Sequence, residues 1–255
     1  MTRSDRSVGA LIGVIPIVLI IGIWQAIAAS GLAPPSLLPP PAAVFARLVQ
    51  QLGSPAYLDH VATTLFRLFA GFAIAVVIGV TIGIAATGSR VVEGVVRPLV
   101  RVLAPVPKIA LYPAFILTLG FENASKIALV VADAAFPILL ATHQGTSAVE
   151  PKLAWSARAT GTSPLLCLVT VVLPAALPSV LTGCRIALVI SCIVVFLAEM
   201  ITSTDGLGHL LVRASRNFQT IDMFVPLITI SLLGLILNGA LQGLRSYLLR
   251  GFPEV

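Results

Sequence analysis

The sequence predicts an all-α membrane protein with six transmembrane helices. Of the 255 residues, 58% are hydrophobic and only 10% are charged, and the mean hydropathy is +1.04. Soluble domains are about half apolar and about one quarter charged. Apolar runs of about 20 residues, enough to cross a hydrocarbon core of about 30 Å, also recur along the chain. We therefore expect a single membrane domain over residues 1–255.

Three spans follow directly from uncharged apolar runs, at about residues 8–30, 61–87 and 223–245. The first run is longer than the apolar region of a signal peptide, which has about 7 to 15 residues, so it is interpreted as a retained helix. A proline-rich outer loop follows it. A short amphipathic helix at residues 42–52 then places Val44 and Leu48 on one face.

The third and fourth spans are predicted at residues 99–120 and 124–142. Three prolines interrupt the third span, an arrangement tolerated where backbone is buried in protein or lines a water-filled cavity. This span is therefore either pore-lining or an irregular packing helix. Asp133 lies within the fourth span, where an acid costs about 2.5 to 3.5 kcal/mol on insertion scales. It either lines the pore or binds a polar group on a neighbouring helix.

A fifth span is predicted at residues 175–199, because residues 165–198 are too long for one helix and too short for two. Pro174 and Pro178 are the expected breakpoints, which leaves residues 165–173 outside the hydrocarbon. Arg185, at the inner end of this span, either attracts anions or extends toward lipid headgroups. With an inside N-terminus, most of the 16 lysines and arginines fall on the inner side, so both termini are expected in the cytoplasm.

Residues 143–174 are predicted to form a cytoplasmic loop with two short helices. Pro151 suits the first position of a helix, and Gly161 suits the position just past its end. Ser163 is expected to cap the second helix, with Pro164 in its first turn. The sequence thus predicts two helices that meet at a glycine.

This loop resembles the segment that permeases of ABC importers present to their ATPase, with the pattern E-A-A-x3-G-x9-I-x-L-P. Trp155 and Ser156 stand where that family usually has Glu and Ala, so the acid of the pattern is missing. The matching residues are Ala157, Gly161, Val171, Leu173 and Pro174. Further similarity, at residues 38–41, 101–107, 173–178 and 206–208, is to the nitrate, sulfonate and taurine branch of these permeases.

The resemblance implies a type I ABC importer permease in the bacterial inner membrane. Its expected partners are a second permease copy in a homodimer, two cytoplasmic ATPase subunits that bind ATP and Mg²⁺, and a periplasmic or lipid-anchored solute-binding protein. The chain itself would hold no cofactor or metal and would carry out no catalysis. The substrate class implied is a small anion such as a sulfonate, taurine or nitrate, while aromatic carboxylates and vitamin-precursor pyrimidines stay open.

Two groups of site residues are predicted on this basis. The residues expected to couple to the ATPase are Glu150, Leu153, Ala154, Trp155, Ala157, Arg158, Gly161 and Thr162. The residues expected to line the translocation path are Tyr112, Phe115, Leu119, Asp133, Ile190, Val194 and Glu199.

Other function classes fit the sequence less well. The basic residues punctuate apolar runs and do not cluster with aromatics, which argues against nucleic-acid binding. The sequence has no GxxxxGK[ST] phosphate loop and no HExxH motif, so it is not expected to be an ATPase or a zinc hydrolase. A secondary carrier driven by an ion gradient is the nearer alternative, and an integral-membrane enzyme is the more distant one.

Overall fold

The computed structural model describes residues 3–32, 34 and 36–250, with side chains described from residue 15 onward. Every regular element in this part of the chain is helical, which confirms the predicted fold class. The α-helices are α1 (Arg3–Ser30), α2 (Pro41–Leu52), α3 (Pro55–Gly88), α4 (Arg90–Leu103), α5 (Tyr112–Leu119), α6 (Asn123–Ser147), α7 (Pro151–Ala159), α8 (Pro164–Cys167), α9 (Leu173–Ala175), α10 (Leu177–Thr202), α11 (Leu207–Arg216) and α12 (Thr220–Leu248).

Four of these helices, α3, α6, α10 and α12, are long and apolar enough to cross a membrane. They correspond in order to the predicted second, fourth, fifth and sixth spans. α3, α6 and α12 extend beyond the predicted spans at both ends, whereas α10 begins two residues after the predicted start and ends three residues after the predicted end. α3 has 34 residues and therefore measures about 51 Å, longer than the hydrocarbon core. α1 covers the first predicted span, and its described apolar part is Ile15–Ser30. The count of six spans and the cytoplasmic termini stay predictions.

The predicted third span, which prolines were expected to interrupt, is broken in the structure. Residues 90–119 form two helical pieces that meet at a bend of 91°. α4 ends at Leu103, and a 3₁₀ turn, Lys108–Leu111, leads into α5. The physical reason is that Pro105 and Pro107 lack an amide hydrogen, so neither can donate a backbone hydrogen bond that would continue the helix. Ala104, before Pro105, still has helical backbone angles.

The centre of the bundle is the packing of α6 between α3 and α10, made close by glycines. A Cβ atom added to Gly79 would lie 2.8 Å from the Cβ atom of Ile138, and one added to Gly83 would lie 2.6 Å from that of Thr142. On the other side of α6, a Cβ atom added to Gly183 would lie 2.6 Å from the Cβ atom of Ala141. Small residues thus let the three backbones approach closely, as expected for helices packed in lipid.

The two ends of this bundle differ in structure. At one end, which we call the α7 end, α6 leads through α7, α8 and α9 into α10. At the opposite end, which we call the α11 end, α10 leads through α11 into α12, and α2 packs beside α12. Arg47 of α2 forms an ion pair with Asp222 at the start of α12, with 2.6 Å between Nε and Oδ1.

Candidate functional site

The α7 end carries the segment for which the sequence predicts partner contact. α6 continues to Ser147, beyond the predicted end of the fourth span at residue 142, so only residues 148–150 connect it to α7. α7 begins at Pro151, as the position of this proline predicts. Ser163 caps α8 by accepting a hydrogen bond from the Leu166 amide at 3.3 Å. The chain then continues as a π-helical stretch, Leu168–Val172, into α9 and α10.

Gly161 makes the sharp turn between α7 and α8. Its φ angle is +87°, in the left-handed region where a Cβ atom is unfavourable. Its amide donates to the Arg158 carbonyl at 3.0 Å, and the Thr162 amide donates to the Ala157 carbonyl at 3.2 Å. These two bonds satisfy carbonyls that the end of α7 would otherwise leave unpaired. Glycine is therefore required here by backbone conformation and not by space, since nothing lies within 4 Å of its Cβ position.

α7 has one inner face, and its other sides are exposed. Ala154 and Ala157 are half-buried on the inner face, where α7 packs on the π-helical stretch, and the Ala154 carbonyl lies 3.9 Å from the Cys167 Sγ. Trp155 and Leu153, on two other sides of the helix, are exposed at 66% and 48% of their surface. Of the other predicted coupling residues, Glu150, Arg158 and Gly161 are exposed and Thr162 is half-buried.

The α7 end is packed closely against the membrane helices. A Cβ atom added to Gly88, at the end of α3, would lie 2.7 Å from Leu168 Cδ1. One added to Gly145, near the end of α6, would lie 2.5 Å from the Cβ atom of Ser179 in α10. Close packing thus joins the π-helical stretch beneath α7 to α3, and the end of α6 to α10.

The path residues predicted on α10 lie one or two positions away from its open face. Val194 is buried in the core, Glu199 is buried, and Ile190 is partly buried. The physical reason is helical phase: residues three or four apart share a face, and the exposed stripe runs one position earlier. That stripe consists of Ile186, Val189, Ile193, Leu197 and Ile201. Between α10 and α12 it borders an apolar groove of about 410 Å³.

The path residues predicted around α5 are only partly exposed. Tyr112 is fully buried and forms a 3.0 Å hydrogen bond to Thr202 between the hydroxyl oxygens, so it lies inside the protomer and not on an open face. Phe115 is half-buried against the same core, and Leu119 is 46% exposed. The break before α5 therefore serves to pack Tyr112 against α10.

Asp133 of α6 is paired with Lys108, at the start of the 3₁₀ turn in the broken segment. Its Oδ1 lies 3.8 Å from Lys108 Nζ, which also donates to the Ala104 carbonyl at 2.8 Å. The same ammonium lies 4.5 Å from the centroid of the Phe136 ring. Of the two roles left open by the sequence, the structure shows contact with a polar group of a neighbouring element.

Glu199 lies at the centre of a buried polar network at the α11 end. Arg67 Nη1 donates to Glu199 Oε1 at 2.9 Å, and the two side chains are 2% and 0% exposed. Thr64 Oγ1 and the Gly208 amide also donate to this carboxylate, at 2.9 and 3.1 Å from Oε2. Gly206 approaches so closely that an added Cβ atom would lie 2.3 Å from the carboxyl group. The network thus ties the loop before α11 to α3 and α10.

Asp205, in the same loop, accepts a second hydrogen bond from Arg67. Burial acts to raise the pKa of Asp205, but the hydrogen bond and charge of Arg67 outweigh it, so the pKa lies below its usual value. Sequence reasoning missed this network. The available signal was that Arg67 and Glu199 have opposite charges and lie at the same predicted end of two neighbouring spans.

With this geometry described, comparison with known families becomes decisive. Residues 75–252 match the family described as "Binding-protein-dependent transport system inner membrane component". The chain belongs to this family. It is therefore an ABC transporter permease and a multi-pass protein of the inner membrane.

Curated relatives cover nearly the whole chain. A putative aliphatic sulfonates transport permease protein, SsuC of Bacillus subtilis (strain 168), is 32% identical over 232 residues, which is 91% of this chain and 84% of the relative. The taurine transport system permease protein TauC of Escherichia coli (strain K12) is 30% identical over 98% of this chain and 92% of its own. The formylaminopyrimidine transport permease protein ThiX of Halalkalibacterium halodurans (strain ATCC BAA-125 / DSM 18197 / FERM 7344 / JCM 9153 / C-125) is 30% identical over 96% of this chain and 97% of its own.

Solved structures show the same fold. A chain of the MetNI methionine ABC transporter, in an inward-facing conformation, superimposes with a TM-score of 0.67 at 19% identity, covering 75% of this chain and 95% of that one. A chain from an amino acid ABC transporter crystallised with histidines gives a TM-score of 0.58 at 18% identity, covering 77% of this chain and 94% of that one. The predicted type I permease fold is thereby confirmed.

Proposed function

We propose that this permease forms the membrane path of an ATP-driven importer of a small sulfonate, of the taurine or aliphatic sulfonate class. In this proposal a solute-binding protein delivers the sulfonate at the α11 end, and two ATPase subunits, which bind ATP and Mg²⁺, dock at the α7 end. The permease holds no cofactor of its own. The substrate class rests on the names of SsuC and TauC, which match 91% and 98% of this chain.

The observation that carries the coupling proposal is the construction of the α7 end. A short helix exposes two bulky apolar side chains, Leu153 and Trp155. It packs on the π-helical stretch, which in turn packs closely on the end of α3. A large exposed apolar patch marks an interaction surface. Because its inner face is held by packing, a partner that moves α7 also moves the membrane helices.

The path itself is proposed to follow the open stripe of α10, with Val189, Ile193 and Leu197 in place of Val194 and Glu199. A second copy of the permease would face this stripe across the path and form the homodimer. Phe115 and Leu119, which retain exposed surface, stay candidates for the same path. Binding outside and ATP-driven closure inside would then open this path alternately to the two sides.

Co-purification with the ATPase subunit tests the docking proposal. Leu153→Asp combined with Trp155→Asp should abolish recovery of the ATPase, because both changes place charge on exposed sides of α7. A matched control is Val91→Asp combined with Val102→Asp, two exposed apolar positions on α4 that should leave recovery unchanged. Full ATPase recovery with the α7 variant would refute the assignment of these side chains.

A further inference from the structure

Arg185 is a charged residue within a membrane helix whose side chain is tied to another helix. It lies about two turns from the start of α10, and its Nε donates to Asn238 Oδ1 of α12 at 2.8 Å. An arginine that only extends toward lipid headgroups keeps its charged head in the interfacial water. The bond to Asn238 instead holds the guanidinium beside the gap between α10 and α12.

A second arginine lies at the same place. Arg245 of α12 and Arg185 both line a cavity of about 370 Å³ on this side of the protomer. The rest of its described lining is Thr182, Ile186, Val189 and Ile190, so that lining has two positive charges and no carboxylate. Electrostatics at this cavity therefore favour an anion.

The guanidinium also has donors to spare for a ligand. Arginine has five N–H groups in a planar fork, and Asn238, which is neutral, accepts from one of them. The remaining edge suits the oxygens of a sulfonate or phosphate, which bind guanidinium groups in a bidentate manner. Because an unpaired charge is costly within the membrane, binding of an anion to the Arg185 guanidinium is favoured there.

The cavity is continuous with the path proposed above, because Ile186 and Val189 belong both to its lining and to the open stripe of α10. We propose that Arg185, supported by Asn238 and Arg245, forms an oxyanion site that receives the sulfonate group of the solute near the α7 end of the path. This inference rests on the proposed function. A lipid phosphate shares the same chemistry, so the experiment must separate the two sources.

The test uses the complete transporter in vesicles of phosphatidylcholine. The three buried cysteines, Cys167, Cys184 and Cys192, are replaced by alanine, and Val189→Cys places one thiol in the cavity wall. The thiol is labelled with 2-sulfonatoethyl methanethiosulfonate, which is anionic, and with its cationic trimethylammonium counterpart. The ratio of the two labelling rates reports the local charge, whatever the transported solute is.

The expected result is that Arg185→Gln lowers the anionic-to-cationic labelling ratio about tenfold, whereas Arg185→Lys retains most of it. Taurine should slow labelling of the Val189→Cys protein and lose this effect in Arg185→Gln. Arg101→Gln, which removes an exposed arginine of α4, serves as the matched control and should change neither quantity. An unchanged ratio in Arg185→Gln would overturn the site.

A second series of vesicles separates the solute from lipid. If phosphatidylglycerol, and not taurine, protects the thiol through Arg185, the site belongs to a lipid phosphate and the assignment to the solute is overturned. Uptake of labelled taurine by the transporter with its native Val189 and Arg185 is measured in parallel. If the transporter takes up no taurine, the proposed function is refuted. A labelling ratio that falls in Arg185→Gln would still be evidence for an anion site.

Discussion

Gly161 and Glu199 are single residues whose roles depend on different physics. Gly161 has open space around it and is constrained only by its φ angle of +87°. Glu199 is constrained by its surroundings, because four hydrogen bonds from three groups, Thr64, Arg67 and the Gly208 amide, converge on one buried carboxylate. The glycine was predictable from the spacing of prolines and glycine along the chain. The carboxylate was not, because its partners are distant in sequence.

Replacing Gly161 by aspartate should uncouple transport while leaving the permease in the membrane. A side chain with a Cβ atom is strained in this backbone conformation, so the turn between α7 and α8 should shift and misplace the docking helix. The measurement is stimulation of ATPase activity by the loaded binding protein. Gly94→Asp, at an uncrowded position on α4, is the matched control for added charge. Normal stimulation in Gly161→Asp would contradict the coupling role of this turn.

Replacing Glu199 by alanine should destabilise the protein by up to about 3 to 5 kcal/mol, because the buried Arg67 loses its buried carboxylate partner and keeps only the partly exposed Asp205 among the described carboxylates. Thermal unfolding of the purified permease measures the effect. The double variant Arg67→Met, Glu199→Leu should recover much of the loss, since it removes both charges. Arg97→Ala breaks the exposed pair with Glu93 and should cost about 0.5 kcal/mol or less. A loss for Glu199→Ala no larger than that for Arg97→Ala would be incompatible with this network.

Among the elements, the apolar spans were predictable and the broken one was not. Uncharged length determines α3, α10 and α12, because the bilayer core sets how many apolar residues a helix needs. The third span contains charged residues and three prolines, and its two helical pieces meet at a bend of 91° whose size the sequence does not indicate. The sequence shows that these prolines are present. Whether these prolines kink a helix or end it depends on which groups pair with the backbone carbonyls that lose a hydrogen bond. It also depends on contacts of Lys108 with Asp133 and Phe136, which lie on α6.

The α3–α6 contact provides a prediction at this scale. Gly83→Ala should destabilise the permease by about 1 to 3 kcal/mol, because the new Cβ atom would lie 2.6 Å from the Thr142 Cβ and 3.0 Å from the Leu139 carbonyl oxygen. Gly239→Ala, with nothing within 4 Å of its Cβ position, is the matched control and should be neutral or stabilising. Comparison of thermal unfolding in detergent checks both. Equal stability of the two variants would show that α3 and α6 do not pack this closely.

At the scale of the whole molecule, the two ends of the bundle have different constructions. At the α11 end a buried network of charges fixes a loop to α3 and α10, and at the α7 end close apolar packing joins a short exposed helix to the same membrane helices. The family pattern around Gly161 predicts that the α7 end meets an ATPase, and this contact stays a prediction. The exposed stripe of α10 was not predictable to one position, because a shift of one residue on α10 turns a side chain by about 100° and moves it from the open face into the core.

The central claim is that this chain transports only together with an ATPase, and uptake into vesicles tests it most directly. The purified permease is reconstituted with and without its ATPase subunit, and uptake of labelled taurine delivered by the binding protein is measured. The account predicts uptake only when the ATPase is present and ATP and Mg²⁺ are on its side of the membrane. Uptake by the permease alone, driven by an ion gradient without ATP, would contradict it and identify a secondary carrier.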